Sequence, residues 1–396
     1  MKNSILCAAA LLIGTAGIAQ LNIANIVQTG LNNNSNNVQN GVYNEIKVIQ
    51  NGNSNNSLIA QNGTNNFSCV EQDGDWNYSE VDQTGNYNSN VGLQQGDLNF
   101  SDVDQDGDNN NADFDQLGNQ NANAQNQLGD NNDSQVYSDG NMNATATDQQ
   151  GDSNSAFVYQ DGNQNVGDIA QSGDSNLGYI YQDGNKNSGD IEQSGDSNQA
   201  EILQFGNRNA SAVTQTGDAN FAVTIQTDRR NVSNVEQTGD GNFAFVQQDG
   251  RRNSSDINQT GDGNYSTVSQ TGRKNVNYNS QQGNYNSNDI TQIGRRNDSY
   301  VLQLGDYNKN TTVQDGINND SDVYQIGDGN CSDVFQDGNN NVGLTVQVGN
   351  NHIANIHQTG NGNNATIGQL GGTPFNTTIT QTGGGNLTKI NQNGSF

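Results

Sequence analysis

The chain is 396 residues long, yet only 30% of it is hydrophobic and 14% charged, with 42 acidic against 14 basic side chains and a formal net charge of -28. At a mean hydropathy of -0.88 it has too little apolar surface for a conventional globular core. The acidity excludes a basic nucleic-acid surface as the main design, so order must come from repetition and no nucleic-acid partner is expected.

Residues 1–19 read as a secretory signal peptide: Lys2, an apolar run from Ile5 to Ile13, then small residues ending Gly17-Ile18-Ala19, with cleavage expected after Ala19. Cys7 lies inside the apolar run and leaves with it. No other stretch reaches membrane-spanning length, so the mature chain is expected to hold no transmembrane segment.

From residue 20 to 396 the chain is a single array. Gln recurs every eleven residues from Gln28 to Gln127, Ser138 takes the next place, and Gln149 resumes a register that runs to Gln369. A one-residue insertion at Pro374, the chain's only proline, precedes Gln381 and Gln392, which close a series of 34 units. Aligned on this place, the units share Asn-x-small-x-aliphatic-x-Gln-x-Gly. Three successive units on one edge show it: Asn165, Ile169, Gln171 and Gly173; Asn187, Ile191, Gln193 and Gly195; Asn209, Val213, Gln215 and Gly217. Asn holds its place in 32 of 34 units, failing only at His352 and Phe375, and Gly fails only at Asp228, so the pattern is structural punctuation rather than compositional bias. Spacing of two puts Asn, small, aliphatic and Gln on one face of a strand, and each unit reads as a strand of roughly 23 Å from Asn to Gln followed by a tight turn.

A second period of 22 appears in the turns. Lys186, Arg208, Arg230, Arg252, Lys274 and Arg296 form a basic series; Asp108, Asp130, Asp152, Asp174, Asp196, Asp218, Asp240 and Asp262 form an acidic one in the alternate turns. Odd and even turns therefore lie on opposite edges, one acidic and one basic. A flat meander would share that property but would leave every Ile and Val wet. Coiling two strands per turn buries them between two facing sheets and stacks identical Asn and Gln side chains into amide ladders. The expected fold is all-β: a cross-β, amyloid-like β-solenoid of about 17 two-stranded coils, roughly 80 Å long at ~4.8 Å per coil.

The repeat, as in Gln182 to Gln193 or Gln237 to Gln248, resembles the curlin repeat of curli fibre subunits. The resemblance implies a functional amyloid: a secreted subunit that polymerises with itself into extracellular fibres on a bacterial cell surface, for biofilm matrix and adhesion. It also implies a nucleator subunit and outer-membrane secretion machinery as partners. The chain departs from the familiar enteric subunits in having many more units, and in starting its first strand at Asn22, almost directly after the signal.

Residues that could carry chemistry are few. His352 falls in the Asn place and His357 at an outward one, neither beside a cysteine or a partner motif, so no enzyme and no cofactor are expected. The Asp series would collect divalent ions only as a weak alternative to a solvated acidic edge, because the nine-residue motif of calcium-binding β-rolls does not match a period of eleven. A membrane barrel is disfavoured because Glu71, Asp82, Asp104, Asp115 and Glu192 would face hydrocarbon. Two functions compete: a fibre subunit, and a monomeric solenoid adhesin or ice-binding module using one flat face. The outward places vary among Tyr, Asp, Val and Asn instead of repeating Thr, and the repeats run from Asn22 to Gln392 with no capping element between them and the chain ends, which favours the fibre.

Overall fold

Alternation with a period of two leaves every unit with one face to bury, and the chain answers with 34 strands and no helix among the described residues, from β1 (Ile23–Thr29) to β34 (Leu387–Asn393). The computed structural model describes residues 21–394; the expected signal peptide lies outside the described residues. Two strands make a coil, so the 34 strands amount to 17 coils of a β-solenoid. Within the described residues the chain falls into two units, 21–163 and 164–394.

The first unit runs from β1 to β13 (Ser155–Asp161). Odd strands form one parallel sheet and even strands another, each paired in register with the strand 22 residues on: Ile26 lies beside Val48, and Val81 beside Val103. Ile46, Val48, Ile59, Val70, Val81 and Val103 are buried on the facing surfaces. Packing is adjusted where the pattern varies. Gly92 takes an aliphatic place next to Phe114, and a Cβ on Gly92 would meet the Phe114 ring at 2.0 Å. Further along, Gln125 takes an aliphatic place and is buried by donating to Ser134 Oγ at 2.9 Å, with Ser134 in turn 2.7 Å from Thr147 Oγ1.

The second unit begins at β14 (Val166–Ser172) and repeats the arrangement with a more uniform core. Ile169, Ile180, Ile191, Ile202, Val213 and Val235 are at most 2% exposed. The one-residue insertion at Pro374 is absorbed in a turn: Ile353 pairs with Asn376, and Gln358 with Gln381, so registry resumes at a step of 23.

The sequence pattern placed Asn as the first residue of each strand, whereas the strands begin one residue later. The reason lies in the turn. Asn231, for example, donates its Nδ2 back to Thr227 O at 2.8 Å and forward to Gly250 O at 2.8 Å, so it closes the turn instead of opening the ladder. The Gly of the turn is demanded twice over. Gly239 has φ of 111°, and a Cβ there would stand 2.3 Å from the Gly261 carbonyl oxygen of the next coil. Two residues on, Gly241 has φ of 64° but open space where a Cβ would point, and Ala219 occupies the equivalent place one coil earlier.

Gly239→Ala is therefore expected to destabilise the folded chain by about 2 kcal/mol or more, and Gly241→Ala by less, about 1 kcal/mol. Urea unfolding of the two variants, read by circular dichroism, checks the contrast.

Candidate functional site

The candidate functional feature that the fold positions is a set of side-chain ladders along the coil axis. A Gln inside the ladder makes two bonds with one Nε2, as Gln215 shows. Gln215 donates across the coil to Gln199 O at 3.1 Å, tying the end of its strand to the start of the preceding one, and along the axis to Gln237 Oε1 at 2.9 Å. Its own Oε1 accepts from Gln193 Nε2 at 2.9 Å, and Gln193 is preceded by Gln171 in the same way. The Asn places run a second ladder: Asn187 N–H donates to Asn165 Oδ1 and Asn209 N–H to Asn187 Oδ1, each at 3.0 Å. Asn165 and Asn187 send their Nδ2 to Gly184 O and Gly206 O of the next coil, and Asn209 sends its own to Asp228 O, where Gly is replaced. Ile169, Ile191 and Val213 fill the core between the ladders, and Gly173, Gly195 and Gly217 hold turn conformations with φ of 107–113°. At Ser138 the Gln ladder is interrupted, because the short hydroxyl reaches Gln160 Oε1 at 3.3 Å while Gln116 donates only to Phe100 O.

The charged series occupy turns of two designs. In the first unit Asp108 N–H donates to Asp130 Oδ1 and Asp130 N–H to Asp152 Oδ1. In the second, Asp174, Asp196, Asp218, Asp240 and Asp262 are linked likewise at 2.8–3.0 Å. The carboxylates of Asp130 and Asp152, and of Asp196 to Asp262, thus each serve as a backbone acceptor as well as a surface charge. The series is longer than the 22-residue Asp count suggested: Asn284 accepts from Asp262 and continues to Asp306 and Asp328, since an amide oxygen fills the same role. The opposite edge of the second unit uses nine-residue strands that carry the pairing two residues further, so Arg229, Arg251, Arg273 and Arg295 lie in register. Arg208, Arg230, Arg252, Lys274 and Arg296 follow in positive-φ positions, as does Lys186. None of these ten cations forms an ion pair with a carboxylate among the described residues. Repulsion from Arg229 lowers the Arg251 pKa, and repulsion from Arg296 lowers that of Lys274.

Comparison with protein families matches this chain to the curlin associated repeat at residues 63–89, 162–195, 184–217, 195–227, 230–261 and 250–276. The chain carries curlin repeats. Comparison with curated proteins finds no match. The curlin-repeat family is one of structural proteins, and the ladders above are what its repeat builds in this chain. Among the described residues no three His, Cys, Asp or Glu side chains converge on a common point that would hold a metal ion.

His352 shows how strict the curlin-repeat Asn place is. Its Nδ1 accepts from Phe375 N–H at 3.1 Å while Nε2 lies 3.1 Å from Gly371 O. One ring nitrogen replaces Oδ1 and the other replaces Nδ2, which requires the neutral Nε2–H tautomer. Phe375, one coil on, cannot continue the ladder and stacks on the imidazole with centroids 5.3 Å apart. Sequence reading placed His352 in the ladder without seeing this substitution; the signal was that His is the other side chain with an acceptor and a donor on a short planar frame.

Outward faces hold features that the repeat pattern does not specify. Phe221, Phe243 and Tyr265 stack in file at 5.3 and 4.9 Å. In the first unit Glu80 lies beside Asp102 and Asp82 beside Asp104; burial and then neighbouring carboxylates raise the pKa of Asp82, Asp102 and Asp104. Tyr78 donates to Glu80 at 2.6 Å, and that bond pushes its phenol up to about 12. In the second unit burial, with Asp320 and Asp298 adding to it, lifts Asp322 to about 6.

Two outcomes follow from these geometries. Gln215→Ala should cost about 2 kcal/mol, since it leaves Gln237 Oε1 buried without its donor, and Gln215→Glu should cost more at neutral pH because a carboxylate faces two acceptors; urea titrations at pH 7 compare them. The folded chain also keeps a proton on Asp322 between pH 3.8 and about 6 that the unfolded chain gives up. Stability should therefore rise as the pH falls from 7 through 6 towards 3.8 and gain no more from this group below it. Asp322→Asn should remove that part of the slope and stabilise the chain at pH 7.

Proposed function

We propose that this chain is a non-enzymatic fibre subunit that polymerises along its coil axis, the C-terminal coil of one copy stacking on the N-terminal coil of the next. The observation that carries the reading is the polarity of the amide ladders. Gln28 and Gln39 donate to Gln50 and Gln61, and among the described residues nothing donates to their own Oε1. At the other end Gln392 accepts from Gln369, and its Nε2 has no acceptor among the described residues. The first described coil thus presents Gln acceptors and the last a Gln donor. Strands β1 and β34 likewise have a neighbour on one side only among the described residues, and Ile26 of the first coil is exposed at the place where Val48 and Val70 of the next two coils are buried. Joining end to end would bury these groups and continue both ladders without a change of register.

The wider role in this proposal is that of an extracellular fibre on a bacterial surface, serving matrix and adhesion, reached through a cleaved N-terminal signal and outer-membrane export, with a nucleator subunit starting growth. The matched curlin repeats and the open ladders support it.

Purified chain lacking residues 1–19 is expected to form thioflavin-positive fibres with a meridional spacing of about 4.8 Å. Lys389→Pro and Ile390→Pro together cover both hydrogen-bonding phases of the terminal strand and should slow elongation from that end. A protein that stays monomeric, or grows unchanged with proline in that strand, would sink axial stacking and leave the monomeric adhesin reading.

A further inference from the structure

Ten of the chain's fourteen Lys and Arg residues stand on one edge of the second unit, between Lys186 and Arg296, in a chain whose net charge is -28. Such a concentration needs an account, because stacked like charges oppose folding. Arg229, Arg251, Arg273 and Arg295 follow one another at one-coil steps, and Arg251 Nε is buried with no partner. The acidic file cannot neutralise them within the molecule. Strand Phe221–Arg229 starts three residues after Asp218 and ends at Arg229, so a strand length of roughly 25 Å separates the files, well beyond a Debye length of about 8 Å.

We propose that the basic edge is a docking surface for the acidic edge of a second copy of this chain, joining molecules side by side. Three observations favour this occupant. The two files are borne on the same coils, since Asp218, Asp240 and Asp262 alternate along the chain with Arg229, Arg251 and Arg273. Their pitch is identical, because both advance by 22 residues per step, so a pairing made at one coil is in register at all the others. The carboxylates are already oriented: from Asp196 to Asp262 each has Oδ1 engaged by the N–H of the preceding Asp, which leaves Oδ2 as the oxygen for an outside cation. The contact is heterologous and does not close, since a joined pair keeps one unused acidic edge and one unused basic edge, so it extends into a flat ribbon. Exposed pairs are individually weak and screened by salt; the strength comes from their number in register. The pairing needs folded coils but not axial polymerisation, so it stands or falls separately from the function proposed above.

The test uses two full-length variants whose turns have native precedents. In one, Asp174, Asp196, Asp218, Asp240 and Asp262 become Asn, the residue at Asn284 of the same file; in the other, Arg229, Arg251, Arg273 and Arg295 become Asn, the residue at Asn207 of the same file. Lateral association is read by electron microscopy and light scattering at low and high salt. Wild type should form ribbons that disperse in salt, and each variant alone should lose about tenfold or more of the laterally associated protein. Mixed together, the variants should regain side-by-side pairs, though not wide ribbons, because each retains one edge. Ribbons that persist in either variant, or a mixture that fails to regain pairs, would overturn the proposal. So would a wild type that stays single at low salt and associates only when polyglutamate is added, which would assign the edge to a polyanion.

Discussion

A primary carboxamide in a narrow core is tolerable only when its donor and acceptor faces are both met, and everything else in this fold depends on meeting them. Gln and Asn satisfy one another only if an identical side chain stands one coil above and one coil below. That requirement forces parallel pairing, in-register stacking and a step of 22 residues, and it is met at 2.9 Å from Gln193 to Gln215 and again from Gln215 to Gln237. The hydrophobic contribution is real but secondary in specifying the fold. One aliphatic side chain per unit fills the space between the sheets, and Thr224 or Thr312 can take its place and remain buried, whereas an Asn place accepts His352 only because imidazole reproduces both bonds.

Much of this was legible in the amino-acid order because the constraint is local and periodic. Gln, Gly and Asn mark the coil, and alternation names the buried face. What could not be read depends on neighbours one coil away. That Asn belongs to the turn follows from its bond to a carbonyl 19 residues on, as from Asn165 to Gly184. That some strands run to nine residues follows from pairing through the turn, as from Arg229 to Arg251. The acceptor role of the Asp side chains was hidden because a residue type at a surface turn reads first as charge; Asn at 284 in the same file was the available clue.

The outward faces are governed by different physics. Their residues are free of the ladder rule, so stacking brings like next to like wherever the sequence repeats itself. Aromatic rings then gain from offset contact, as Phe221, Phe243 and Tyr265 do, while carboxylates lose, as Asp298 does beside Asp320, where burial first and then the neighbouring charge raise its pKa. The same periodicity that satisfies amides concentrates charge, and a solenoid with a polar surface must spread, screen or pair what its own repeat collects.

Repetition also creates a threading problem. A strand that settled one coil too early would find nearly the same Gln, Asn and Gly waiting for it. The irregular places remove that degeneracy. Phe114 fits beside Gly92, where even a single added Cβ would meet its ring at 2.0 Å; displaced by one coil, it would be set against Val70, the residue paired with Gly92. Gln125 needs Ser134, and His352 receives Phe375 rather than another amide. These departures from the consensus act as alignment pins: each makes one threading of the chain cheaper than its neighbours, and a perfectly uniform array would have none.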